Sequence, residues 1–126
     1  MLLEDIGQYL QSNAVGIVGT DIFYGYLPNS PDDCIVLFEY AGEPSEYAHD
    51  GSSVEKPGLQ VRVRNVSYSS GRSKIDQIKN VLNLITNRVV GETFYLSIIA
   101  NQSPIGLGRD TQGRSEFVIN FSIKKS

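Results

Sequence analysis

The chain has 126 residues and a mass of 13.9 kDa, with 40% hydrophobic residues, 20% charged residues and a formal net charge of −3. These values are typical of a globular protein that buries its own core, and we expect residues 1–126 to form a single domain. The only cysteine, Cys34, excludes a disulfide within this chain, while the acidic start and the lack of an apolar run of ~20 residues argue against a signal peptide and a membrane span.

The residue pattern predicts two helices and five strands in the order α-β-β-β-α-β-β. In chain order these are a helix over 2–13, strands over 21–27, 34–40 and 59–64, a helix over 72–87, and strands over 93–100 and 116–123. Few of these strands are joined by helical crossovers. We therefore expect an α+β fold, with a mostly antiparallel sheet of about five strands and both helices on one face.

Two polar segments interrupt this pattern and are predicted to be extended loops, at about 41–58 and 101–115. The first has no apolar period, and a loop this long in a compact domain is usually functional or disordered. The glycines of residues 105–110 suggest a phosphate-binding loop, but no Gly-Lys-Ser/Thr and no helix start follow them. We interpret the second segment as a hairpin loop in which Gly113 adopts a positive φ.

The two parts of the chain differ strongly in charge. Residues 1–55 contain ten acidic residues and no lysine or arginine, whereas residues 56–126 contain eleven basic and four acidic residues, giving formal charges of −10 and +7. A nucleic acid or a head-to-tail oligomer would each fit this asymmetry. The alternative is that folding mixes both parts into a patchy surface.

Catalytic and metal-binding patterns are weak in this sequence. His49 is the only histidine, it falls in the first predicted loop, and the scattered carboxylates near it do not form a recognisable ligand set. Cys34 lies in an apolar run and is expected to be a buried small side chain. We therefore expect no catalytic residue, no metal and no cofactor.

A nucleic-acid or small-ligand binding module is the main alternative. Arg62 and Arg64 alternate along one predicted strand, and further basic residues follow in the second helix. Against this, Tyr68 is the only aromatic residue near them that could stack on a base, and the overall acidity opposes binding to phosphates.

Several segments resemble one protein family over residues 33–123. The most specific are Pro57-Gly58-Leu59-Gln60-Val61-Arg62-Val63-Arg64, Gln102-Ser103-Pro104, Leu107-Gly108-Arg109-Asp110 and Gly113-Arg114. They resemble the phage and prophage minor capsid proteins, which are the tail terminator or tail completion proteins of long-tailed phages. The first 30 residues match only as a helix followed by a strand.

The resemblance implies a structural virion protein at the head–tail junction, made in the cytoplasm of a bacterial host. It implies a ring, usually hexameric, that ends the tail tube and docks to the head-completion or connector protein. It implies no catalysis, no cofactor, no membrane and no direct nucleic-acid recognition.

A closed ring needs two different, complementary surfaces on each subunit, and the charge asymmetry could supply them. We expect the cations to come from the third strand and the hairpin, and the facing acids to be exposed on the next subunit. The predicted interface residues are Arg62, Arg64, Arg109, Asp110, Arg114, Glu43, Glu46 and Asp50.

Overall fold

The computed structural model describes residues 1–47, 49 and 51–126. They form two helices and seven strands. In chain order these are α1 (Leu2–Ser12), β1 (Ile22–Tyr24), β2 (Cys34–Tyr47), β3 (Ser53–Asn65), α2 (Tyr68–Leu82), β4 (Ile85–Val90), β5 (Thr93–Ala100), β6 (Ile105–Arg109) and β7 (Ser115–Lys125).

All seven strands belong to one sheet with the order β1-β2-β3-β7-β5-β4, and β6 pairs with the first part of β7. Every pairing is antiparallel except that of β1 with β2. The predicted α+β class, with a mostly antiparallel sheet and two helices on one face, is confirmed. Neither helix is long and apolar enough to cross a membrane, among the residues described.

The core lies between the helices and one face of the sheet. Along β7, Phe117, Ile119, Phe121 and Ile123 are at most 1% exposed, because alternate side chains of a strand point to the same face. The helices contribute buried residues at helical spacing: Ile6, Leu10, Ile75, Ile78 and Leu82. Burial of each large apolar side chain contributes about 1.5–3 kcal/mol.

The second helix begins and ends earlier than predicted. Ser67 caps its start, since the hydroxyl oxygen accepts a hydrogen bond from the N–H of Ser70 at 3.3 Å. Its end is followed by Leu84 in the left-handed region with φ of +66°. Ile85 is the first residue of β4 and not part of the helix. In the sequence it continues the helical spacing of apolar residues because it, too, is buried in the core.

The first predicted loop is wrong as secondary structure. Residues 41–47 continue β2 and residues 53–58 belong to β3, and the two strands pair with each other; we call residues 41–47, 49 and 51–57 the arm. Most of the arm is exposed, so no alternating burial pattern marks its strands in the sequence. Strand β6 lies within the second predicted loop for the same reason, with all five of its residues exposed.

Candidate functional site

The arm carries its own charge network. The Lys56 ammonium lies 2.6 Å from Oε1 of Glu46 and 3.6 Å from Oε2 of Glu43, across the two strands. The hydrogen bond from Lys56 lowers the pKa of Glu46, and the same bond raises the pKa of Lys56. Both glutamates remain mostly exposed, so the network leaves one negative charge on this side of the arm.

Tyr40 holds the base of the arm against the body of the protein. Its hydroxyl donates to the backbone oxygen of Phe121 at 3.1 Å and accepts from the side-chain amide of Asn101 at 2.9 Å. Ser122 donates to the amide oxygen of Asn101 at 2.7 Å, and the Tyr40 ring covers Gly58, where a Cβ would collide with it. A cavity of about 240 Å³ opens between the arm and the body beside this group.

The structure contradicts the prediction that Arg64 and Arg114 are exposed interface cations. Arg64 is 2% exposed and donates to the backbone oxygens of Asp32 and Pro31 at 3.0 and 2.7 Å. Arg114 is 6% exposed and donates to the backbone oxygen of Asn29 at 2.7 Å. A buried cation needs hydrogen-bond acceptors, and the backbone oxygens of the proline-rich turn before β2 supply them. The two guanidinium groups therefore hold this turn against the sheet.

Asp110 is the carboxylate partner of Arg114. Its oxygens accept from the backbone N–H of Arg114 at 2.9 Å and from the side-chain Nε at 2.7 Å. The backbone bond is the main cause that lowers the pKa of Asp110. Burial works to lower the pKa of Arg114, but the contacts with Asp110 and Asp32 outweigh it and raise that pKa.

The two other predicted cations differ from each other. Arg62 is half-buried on the sheet face opposite the helices, where its Nε donates to Gln60 at 3.1 Å and its guanidinium lies 5.8 Å from the Phe38 ring centre. Arg109 is exposed at the end of β6, and it has no side-chain partner among residues 1–47, 49 and 51–126. Arg109 is thus a free cation, whereas Arg62 belongs to a polar network of the sheet.

Of the predicted acids, Glu43 and Glu46 lie on the arm, while Asp50 is outside the described residues. His49 is exposed in a turn. Within the described part of the chain, no group of three or more histidine, cysteine, aspartate or glutamate residues could hold a metal ion.

The charge asymmetry of the sequence is partly neutralised inside one subunit. Ion pairs join the acidic first part to the basic second part through Lys56 with Glu43 and Glu46, Arg114 with Asp32, and Lys125 with Glu55. Glu39 on β2 is exposed and has no such partner in the part of the chain that is described. These ion pairs engage four of the ten acidic residues and three of the eleven basic residues, so they do not neutralise most of the charge asymmetry.

Exposed apolar residues accompany these charges, and no pattern in the sequence marks them. Ile105 and Leu107 on β6 are each 49% exposed, and Tyr47 near the tip of the arm is 79% exposed. A short strand containing two glycines has no recognisable period, so only the pairing of β6 with β7 reveals it.

Comparison with protein families gives a match to the bacteriophage tail terminator protein over residues 9–126. Comparison with curated proteins gives no match. Among solved structures, the fold resembles a chain from the virion of a native gene transfer agent (GTA) particle. The TM-score is 0.67 at 12% sequence identity, covering 98% of this chain and 93% of that chain.

Proposed function

Because the chain belongs to the bacteriophage tail terminator family, a family of structural virion proteins, we propose that it forms a hexameric ring on the end of the tail tube. The ring stops further addition of tube subunits and presents a docking face to the head-completion or connector protein. No catalysis and no cofactor take part.

The family match over residues 9–126 is the observation that carries this proposal. The structure supports it in two ways. The arm projects polar and aromatic side chains that contribute nothing to the core, which is typical of a segment that contacts other subunits. The open strand edges of β2 and β6 lie on different sides of the sheet, as a head-to-tail ring requires.

Among the residues predicted from the sequence, we propose Arg109, Glu43 and Glu46 as contacts to neighbouring subunits or to the tube. All three are exposed. Asp110 acts indirectly, by holding Arg114 and thereby the loop after β6. Arg62 contributes to these contacts from the sheet face opposite the helices. Arg64 and Arg114 stabilise the subunit itself.

The test mixes the purified protein with tail tubes and images the tube ends by negative-stain electron microscopy. A cap of ring shape at one end of each tube, and tubes that no longer lengthen when tube protein is added, are the expected results. A variant in which residues 43–55 are replaced by an Asn-Gly turn keeps every buried hydrophobic residue and is expected to lose capping. Uncapped, growing tubes with the wild-type protein would refute the proposal.

No observation favours the nucleic-acid alternative over the ring. One of the basic residues that suggested it, Arg64, is occupied by contacts within the subunit. The discriminating measurement is a gel shift with duplex DNA at low salt, where a shift that disappears on adding salt would support binding to phosphates.

A further inference from the structure

The described strands leave two open edges on opposite sides of the sheet. Strand β1 pairs with β2 only at Ile35–Leu37, so residues 38–47 of β2 have no neighbouring strand on that side. Strand β6 pairs only with β7. Backbone N–H and C=O groups on such edges are available to pair with a strand of another molecule.

The edge at β4 is blunted by comparison. Asn87 has φ of +47° in the middle of this strand and drops out of the pairing with β5. The guanidinium of Arg88 is held by the hydroxyl of Tyr9 at 2.6 Å. A strand interrupted in this way is a poor template for a further strand.

We propose that neighbouring subunits pair through these edges, with β2 of one copy joining β6 of the next and Glu39 lying opposite Arg109. This inference rests on the proposed ring and names the contact that would close it. The occupant of each edge is thus a second copy of this chain, used head to tail.

The strand directions agree with this contact. Strand β2 is antiparallel to β3, β3 to β7, and β7 to β6, so β6 runs antiparallel to β2 within one subunit. A rotation about an axis roughly parallel to the strands preserves these directions. The next copy therefore presents its β6 antiparallel to β2, which is the more stable pairing geometry.

The charges lie on matching faces of the sheet. Glu39 is opposite the core residue Leu59, and Arg109 is opposite the buried Ser115, so both side chains project from the helix-bearing face. Both are exposed, and neither has a partner among the residues that the structure describes. Opposite charges directly across two strands stabilise their pairing.

The ends of the contact also agree. Each strand has one irregularity in this stretch, between Tyr40 and Glu43 and between Gly106 and Gly108, so the two match in length. With Glu39 opposite Arg109, residues 38–43 therefore span residues 105–110, and Pro44 faces Pro104. Proline has no backbone N–H, so pairing stops at the same point on both strands. Pairing would also cover Ile105 and Leu107, which are half exposed in the single subunit.

The experiment is a charge exchange in the full chain, assayed as capped tail tubes. Glu39→Arg and Arg109→Glu are each expected to reduce the capped fraction at least about tenfold, since each places like charges opposite each other. The double exchange is expected to restore capping. Glu92→Arg and Lys79→Glu change exposed or half-exposed charges away from both edges and serve as matched controls.

A second variant tests proximity directly. Glu39→Cys combined with Arg109→Cys is expected to give a ladder of disulfide-linked oligomers when tubes are present and oxidised glutathione is added as the oxidant. Each single cysteine variant is expected to give no ladder. Directly opposed residues have Cβ atoms about 4.5–5.5 Å apart, close enough for a disulfide after a small shift.

The outcomes separate the two proposals. Capping by both single charge variants at the wild-type level, or no ladder from the double cysteine variant on capped tubes, would overturn the edge contact and leave the ring standing. Failure of the wild-type protein to cap tubes would remove the ring and this contact with it. Thermal unfolding of each variant checks that the subunit is folded.

Discussion

At the scale of single residues, the arginines of this protein have two different structural roles. Arg64 and Arg114 are buried and bind backbone oxygens of the proline-rich turn, whereas Arg109 is exposed on an open strand. All three are predicted from the sequence as interface residues. The burial of Arg64 and Arg114 depends on the turn at residues 28–33 folding back over the sheet, which is a tertiary contact.

Substitution of Arg64 is expected to destabilise the fold. Arg64→Ala removes two hydrogen bonds and leaves the oxygens of Pro31 and Asp32 without these donors, at a cost of about 1–3 kcal/mol. Arg109→Ala is the matched control and is expected to change the free energy of unfolding by less than about 0.5 kcal/mol. Urea unfolding of both variants measures this, and equal effects would contradict the assignment.

Acid is expected to weaken the pair of Asp110 and Arg114. The pKa of Asp110 is lowered in the folded state, so the stabilisation is present above the ordinary aspartate pKa of about 3.9 and is lost as the pH falls through the lower folded-state pKa. The difference in unfolding free energy between wild type and Asp110→Asn should be largest near neutral pH. It should shrink below about pH 4. A constant difference from pH 7 to pH 2 would argue against this linkage.

At the scale of elements, the arm is a strand pair whose direction is set at its base. Register shifts interrupt the pairing of β2 with β3 between Tyr40 and Glu46, and Gly42 allows the backbone of Lys56 to approach closely. Beyond this point the arm has few contacts with the body. The hydroxyl of Tyr40 links the base of the arm to the body, and the pairing of Glu55 with Lys125, whose side chains lie 3.5 Å apart, is a second polar link further along the arm.

Removing that hydroxyl is expected to loosen the arm while leaving the body folded. Tyr40→Phe keeps the ring over Gly58 but loses the bonds to Phe121 and Asn101, each worth about 0.5–1.5 kcal/mol. Limited proteolysis under native conditions, read by mass spectrometry, should show faster cleavage within the arm. Tyr68→Phe is the control, because the Tyr68 hydroxyl makes no hydrogen bond to the described residues. Equal cleavage in both would show that the hydroxyl does not orient the arm.

At the scale of the whole molecule, one core joins the first helix to the sheet and the second helix. Leu10 is fully buried, so Leu10→Ala is expected to cost about 2–5 kcal/mol of unfolding free energy. Ile17 is 57% exposed, and Ile17→Ala should cost less than about 1 kcal/mol. Thermal or urea unfolding of both variants measures this difference in unfolding free energy. A small effect of Leu10→Ala would mean that α1 is not part of the cooperative unit.

A buried hydrogen bond also joins the first turn of α1 to the sheet. Tyr95 is fully buried, and its hydroxyl donates to Oδ2 of Asp5 at 2.8 Å. Burial, and then the Asp5 carboxylate, raise the pKa of Tyr95. The hydroxyl therefore keeps its proton and supplies the hydrogen bond that a buried aspartate needs.

The sequence by itself determined most of the elements that contribute to the core, although it missed β4. Helical spacing from Leu3 to Leu10, and alternation from Phe117 to Ile123, report burial directly, because a side chain must be apolar where it meets the core. The α+β class and the tail terminator resemblance, both confirmed, depend on these same segments and on the motifs between Pro57 and Arg114.

Only the tertiary structure decided which polar segments are strands and which charges are free. The arm and β6 are held by backbone hydrogen bonds, which leave no periodic trace in the side chains of an exposed strand. Whether an arginine is buried like Arg64 or exposed like Arg109 depends on acceptors contributed by distant parts of the chain. Local sequence cannot report contacts between residues more than 30 positions apart, as in Arg64 with Asp32.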